Sequence, residues 1–204
     1  VFIADVTVFV SGFLVAIGSM SQAYDVSFEK NNMEDGNLEV KREASSGLLD
    51  ALQKDGTKIY QNFYKEEQTK NVESTLRIFK KRTEIDLECL MEGSFPEDEN
   101  EIAIDRMYAV NNKISVGDVM ELGDVSYTIC GLVALSDYSA LFSSTSDMMF
   151  DAVRFGVAIV TEDGFNRISS DHLHYNYSWR YSERPSDEKE AKTLSESFLK
   201  ILYV

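Results

Sequence analysis

EGSFPEDENEIAIDRMYA, residues 92–109, gathers Glu97, Asp98, Glu99 and Glu101 beside Pro96, continues into the alternating Glu101-Ile102-Ala103-Ile104, and then offers Asp105 as a helix cap. Such an acidic turn has three readings: a cation loop, a catalytic site, or a polar elbow between two elements. A calcium loop needs oxygen ligands converging from set positions and a glycine at its sharp turn. Counted from Asp98, Asn100 suits that pattern. Ile102, Ala103 and Ala109, however, stand where an oxygen ligand, the glycine and the closing glutamate belong. The solvated elbow is the better reading.

Around the elbow the texture is of short strands broken by turns, over 85–91, 101–104, 118–122 and 125–133. Gly117-Asp118 and Gly123-Asp124 flank VMEL, which predicts a hairpin of VMEL with VSYTICGLV. Between Ile104 and Gly117, DRMYAVNN predicts one short helix that exits at Asn111-Asn112.

Further out, the texture alternates between strand and helix. A strand is predicted over 37–41, then a helix capped by Ser45 or Ser46 with Leu48, Leu49 and Leu52 on it and a stop at Gly56. Strands follow over 58–69 and 74–82, with the polar KEEQTKNVE between their centres read as an exposed connection. On the C-terminal side FGVAIV, 155–160, predicts a buried strand, Thr161 caps a helix through Ile168, and HYNYSWRY predicts another strand. A last helix opens near Ser186 with Asp187 and Glu188 in its first turn and carries Ala191, Leu194, Phe198, Ile201 and Leu202 as one apolar stripe. The segment 138–150 mixes Tyr138, Leu141, Phe142, Met148, Met149 and Phe150 with Ser and Asp. Core burial is the usual fate of such side chains, and a mobile or partner-facing segment is the alternative.

The chain of 204 residues, 44% hydrophobic and 27% charged, is long enough to bury a core. Its formal net charge of -15 argues against a nucleic-acid surface, which needs clustered Lys and Arg. VFIADVTVFVSGFLVAIGSM, residues 1–20, holds Asp5 as its one charge and has the length of a membrane span. A buried core helix has the same periodicity, and a signal peptide fits less well because no basic residue precedes the apolar run. Asp25, Glu29, Glu34 and Asp35 follow with only Lys30 against them, so the bulk of the chain is expected outside the cytoplasm. In that setting Cys89 and Cys130 could form a disulfide, although both sit in strand-like runs where free buried thiols are as common.

Chemistry-bearing motifs are few. Asp171, His172 and His174 are close enough in sequence to suggest a zinc site, but a third or fourth ligand is not visible beside them, and exposed strand-edge histidines are the simpler reading. A Ser-His-Asp set has no G-x-S-x-G elbow to support it, and neither phosphate-binding glycine motif occurs, so any ATP must be hydrolysed by another chain.

The order Gly93, Pro96, Glu101-Ile102-Ala103-Ile104, Ala109, Gly117-Asp118 and then YTICGLV at 127–133 resembles the extracytoplasmic core domain of MacB/FtsX-like ABC transporter permeases. The resemblance covers essentially the whole chain. It implies an α+β fold in which a porter-like βαβ subdomain carries an inserted small β-rich subdomain and is preceded by a transmembrane helix. The corresponding segments are 1–25 for the span and start of the stalk, 26–84 and 154–204 for the porter-like part with its exit helix, and 85–153 for the insert. It also implies a bacterial cell-membrane protein with most of the chain extracytoplasmic. Such a protein partners a cytoplasmic ABC ATPase subunit and works as a dimer or pseudodimer. No catalytic, cofactor-binding or metal residue is assigned, and no cofactor. The alternative is a membrane-anchored extracellular binding or adhesion domain without an ATPase partner. An extracellular hydrolase using His172 or His174 has the least support.

Overall fold

The computed structural model describes residues 28–53, 56–70, 72–138, 151–183, 185 and 188–202. Among them no helix is long and apolar enough to cross a membrane. The stretch 1–20, for which the sequence predicts a span, lies outside the described residues, as does 139–150.

The described residues are mixed α+β, with ten strands in one mixed sheet. They are β1 Gly36–Val40, β2 Thr57–Gln61, β3 Tyr64–Gln68, β4 Thr75–Lys80, β5 Cys89–Gly93, β6 Glu101–Asp105, β7 Val119–Leu122, β8 Val125–Ala134, β9 Phe155–Val160 and β10 Leu173–Tyr181. The spatial order is β1-β10-β3-β4-β9-β6-β8-β5, with β2 on β10 and β7 on β8. Two pairings, β4 with β9 and β6 with β8, are parallel and the rest antiparallel. After β4 the chain builds β5 to β8 and then returns as β9 beside β4. Every residue of β9 is buried, which is why FGVAIV reads as an unbroken apolar run rather than an alternating one.

Among the described residues, four further α-helices follow the helical residues 28–30. Helix α1, Ser46–Leu52, is capped by Ser45, whose Oγ accepts from Leu48 N. Helix α2, Arg106–Asn112, is capped by the Asp105 carboxylate, which accepts from Met107 N and Tyr108 N. Thr161 caps α3, Glu162–Arg167, by accepting from Gly164 N. Helix α4, Glu188–Leu202, docks on the β1-β10-β2 end, where Phe198 stacks on Trp179 at 4.4 Å, so it behaves as an amphipathic helix with a packed face. The main core lies under α2 and α3 and includes Leu76, Ile78, Ile102, Ile104, Tyr108, Ile129 and Ile159, each fully buried.

Three sequence expectations change. The predicted strand over 58–69 is two strands broken at Asn62 and Phe63. The polar run KEEQTKNVE is not an exposed connection throughout: Lys65 is 3% exposed and Glu67 is 7% exposed, both within β3. The Lys65 ammonium donates to the carbonyls of Phe165 and Ile168 at 2.8 and 2.6 Å, at the C-terminal end of α3, where the helix carries negative partial charge. Lastly, the strand predicted at 85–91 starts later, at Cys89. Asp86 takes a φ of 51°, and the backbone N–H groups of Asp86 and Leu87 donate to Asn32 and Asn31 rather than to a strand.

The elbow that opens the sequence reading is held by its own acids. Glu101 accepts from the N–H groups of Glu97 and Asp98, and Asp98 accepts from Asn100 N at 2.9 Å. Directly beside it β5 and β8 approach unusually closely. A Cβ on Gly131 would lie 2.2 Å from Ser94 O, and one on Gly93 would lie 2.3 Å from Cys130 O. Both contacts are with backbone, which cannot rotate away. Gly131→Ala is therefore expected to lower stability by about 1–3 kcal/mol, read as a fall in the denaturation midpoint with an unchanged slope. Ala at Gly47, whose Cβ meets nothing within 4 Å, serves as the control.

Candidate functional site

Strand β2 and the segment that follows β4 splay apart. Between them lies a 420 Å3 cleft with residues 58–63 on one wall and 80–85 on the other. Its rim carries Lys58, Lys80 and Lys81, and its lining includes the buried Asn62 and Arg82. The wall geometry follows from the break at Asn62. The Asn62 side chain turns inward to donate to Ser178 Oγ at 3.1 Å and accept from Arg82 Nε at 3.0 Å.

Arg82 is the centre of a buried ionic cluster. Its two terminal nitrogens reach both oxygens of Asp137, at 2.7 and 2.9 Å, and Nη1 also donates to Asp86 O at 3.0 Å. Burial alone would lower the guanidinium pKa, but the charge and hydrogen bonds of Asp137 outweigh it and hold the group charged. Asp86, Glu34 and Glu88 surround the pair. Burial pushes Asp86 up to about 8, helped by the charges of Asp137 and Glu34, and burial raises Glu34 and Glu88 as well. Glu34 Oε2 and Asp86 Oδ2 are both buried, and Asp86 Oδ1 accepts from Glu34 N at 2.8 Å. With a value of about 8, Asp86 holds its proton at neutral pH, because two unneutralised charges cannot be kept out of water together.

The residues singled out by sequence separate into different places. His172 ends a 3-10 turn instead of lying on the strand, and its Nδ1 lies 2.8 Å from Glu67 Oε1. His174 lies within β10, stacks on Tyr64 and approaches Glu39 Oε1 at 3.0 Å. Each imidazole thus has its own carboxylate, and among the described residues no group of three or more His, Cys, Asp and Glu could hold a metal ion. Both thiols are free. Cys89 stands opposite Ala134, whereas Cys130 lies at the far end of the β5–β8 ladder beside Gly131. Tyr138, at the start of the apolar segment, packs on Phe79 and its hydroxyl accepts from Arg77 at 2.8 Å.

Sequence reading missed the cleft and the cluster. Arg82, Asp86 and Asp137 look like ordinary surface charges in the chain, and the two arms that meet, 82–88 and 137, are far apart in sequence. A usable signal was present only in KKRTEID, which sets three basic residues beside two acids directly after a buried strand.

No family model and no curated protein matches the chain. Among solved structures, it is similar to the extracellular domain of the noncanonic ABC-type transporter YknZ from Gram-positive bacteria, at 13% identity and TM-score 0.42, covering 82% of this chain and 92% of that one. It is also similar to the periplasmic region of MacB from Actinobacillus actinomycetemcomitans, at 11% identity and TM-score 0.42, covering 84% and 86%.

The cluster makes two predictions. Arg82→Met leaves Asp137 buried without its partner and is expected to cost about 3–5 kcal/mol in chemical denaturation. Asp86 has an ordinary value of 3.8 and a folded value of about 8. Between these the folded chain holds a proton that the unfolded chain has lost, so its contribution is full below the lower value and falls away as pH rises through the upper one. Asp86→Asn keeps the acceptor for Glu34 N and removes the titration. Its stability relative to the parent should rise from pH 5 to pH 8.5 by on the order of 1 kcal/mol or more, measured as the difference between two denaturation series.

Proposed function

We propose that the chain is the extracytoplasmic domain of a MacB/FtsX-like ABC-type transporter permease. It passes ATP-driven motion of a cytoplasmic ATPase subunit on to export of, or action on, an extracytoplasmic substrate. The observation that carries this reading is the ordered set Gly93, Pro96, Glu101 to Ile104, Gly117-Asp118 and Gly131. Its members are joints of the fold. Gly93 and Gly131 allow β5 and β8 to touch, Pro96 is buried at the elbow, and Asp118 accepts from Ser115 N at 2.8 Å beside Gly117, which has a φ of 96°. These are structural roles, which suit a domain that moves rather than reacts.

In this reading residues 26–84 and 154–204 are the porter-like part and 85–153 the insert. That division is supported by β4 and β9, which lie side by side in parallel although the whole predicted insert separates them in the chain. Residues 1–25 anchor the domain in the cell membrane with its bulk outside, and permease copies or halves pair as a dimer or pseudodimer. The domain is not itself an enzyme and uses no cofactor.

Affinity purification of the chain from mild detergent extracts tests the proposal. An ATP-binding subunit should accompany it, and protease added to intact cells should cut the exposed 41–43 loop between β1 and α1. Recovery of the chain without an ATPase favours the anchored binding or adhesion domain, and protection of the loop overturns the outward orientation.

A further inference from the structure

We propose that the cleft between residues 58–63 and 80–85 takes an extended acidic peptide segment, which adds to β2 as a further strand. The proposal is independent of whether an ATPase drives the protein, and it rests on the direction of the β2 backbone, the departure of β4 and the charge of the rim.

The hydrogen bonds Asn62 N to Asn176 O and Ser182 N to Gly56 O fix which residues of this stretch face β10. Even-numbered residues turn their N–H and C=O groups toward β10, so Thr57, Ile59 and Gln61 turn theirs away from it, because the ladder alternates. Among the described residues, β2 pairs with no strand other than β10. Ile59 N–H reaches Gln53 Oε1 at 3.5 Å, a long bond that a closer acceptor would replace. The next strand, β3, has the corresponding side filled by β4, as far as the pair Tyr64 and Phe79. After Lys81, whose N–H still donates to Val160, the chain leaves the sheet. A strand entering the cleft would therefore occupy beside β2 the position that β4 occupies beside β3.

The rim selects for charge. Lys58, Lys80 and Lys81 stand around the opening, with Glu84 as the acid on the walls. Lys58 pairs with Glu84 at 3.6 Å and Lys80 with Glu162 at 3.4 Å, both exposed and weakly held. Lys81 lies over the Phe95 ring at 4.6 Å, and no ion pair to it is found among the described residues. In a chain of net charge -15 such a lysine group is locally attractive to carboxylates. A lone small anion would need only the lysines. The two facing walls and the open backbone edge fit an extended main chain, which is the recognition mode of strand addition.

The test uses the 204-residue chain in detergent and fluorescence anisotropy of a labelled peptide, Val-Glu-Val-Glu-Thr-Glu-Val. Three comparisons accompany it: the same peptide with Lys for Glu, the acidic peptide with alternate backbone nitrogens methylated, and the acidic peptide against protein variants Lys58→Glu with Lys81→Glu and Gln61→Pro. Proline at Gln61 removes an N–H that points away from β10, so the existing ladder is kept, and circular dichroism checks the fold. The acidic peptide should bind about tenfold tighter than its lysine counterpart, weaken with added salt, and lose about tenfold on N-methylation and in each variant. Equal binding of the methylated and parent peptides would show lysine attraction without strand addition and overturn the proposal. So would equal binding of the acidic and basic peptides, or no binding at millimolar concentration.

Discussion

A guanidinium sealed from water must be neutralised on every side, and Arg82 meets that demand by drawing together parts of the chain that the sheet alone would leave apart. It stands just after β4, where the chain departs to build β5 to β8. Asp137, which takes both ends of the guanidinium, stands just after β8, on the way back to β9. The ion pair therefore closes the long excursion at its neck. Asn62 adds the kink between β2 and β3 to the same knot, and Asp86 adds the 31–34 loop through Glu34. Exposed ion pairs such as Lys58 with Glu84 contribute little to stability. This one acts through the penalty for leaving either partner alone.

What was legible in the sequence was local chemistry with a short reach. Ser45, Asp105 and Thr161 cap their helices as their side chains demand, the VMEL hairpin closes through Leu122 and Val125, and the apolar run of β9 is wholly buried. In the acidic elbow, the Asp98 and Glu101 carboxylates accept from neighbouring N–H groups. The failures share one cause. Lys65 looks like a surface lysine until the carbonyl end of α3 is placed over it, and 85–88 looks like a strand until Asn31 and Asn32 supply its backbone partners. Both depend on groups remote in the chain, and a periodic pattern has no access to them. The candidate cleft was hidden for the same reason: it is a gap between two strands whose separation is set by Asn62 and Arg82 together.

The distribution of charge is as informative as its total. Acids outnumber bases by 35 to 20, yet the carboxyl groups around Arg82 are buried or half-buried, and the cleft that Arg82 lines also carries Lys58, Lys80 and Lys81. Within the cluster Asp86 is pushed up to about 8 by burial, whereas Lys58 and Lys80 on the rim are exposed. A change in either layer reaches the other through Arg82 and Asn62, which belong both to the cleft lining and to the cluster.

The pairing of β1 with β10 has a mechanical side. The incoming chain enters β1 at Gly36 opposite Trp179, and the outgoing chain leaves β10 at Tyr181, whose N–H donates to Asp35. Entry and exit thus lie together at one end of a single ladder. Equal traction on both lines carries the whole sheet along without straining any rung. Traction that spreads them instead opens the ladder rung by rung from that end, like a zip, at far smaller force than shearing it along its length.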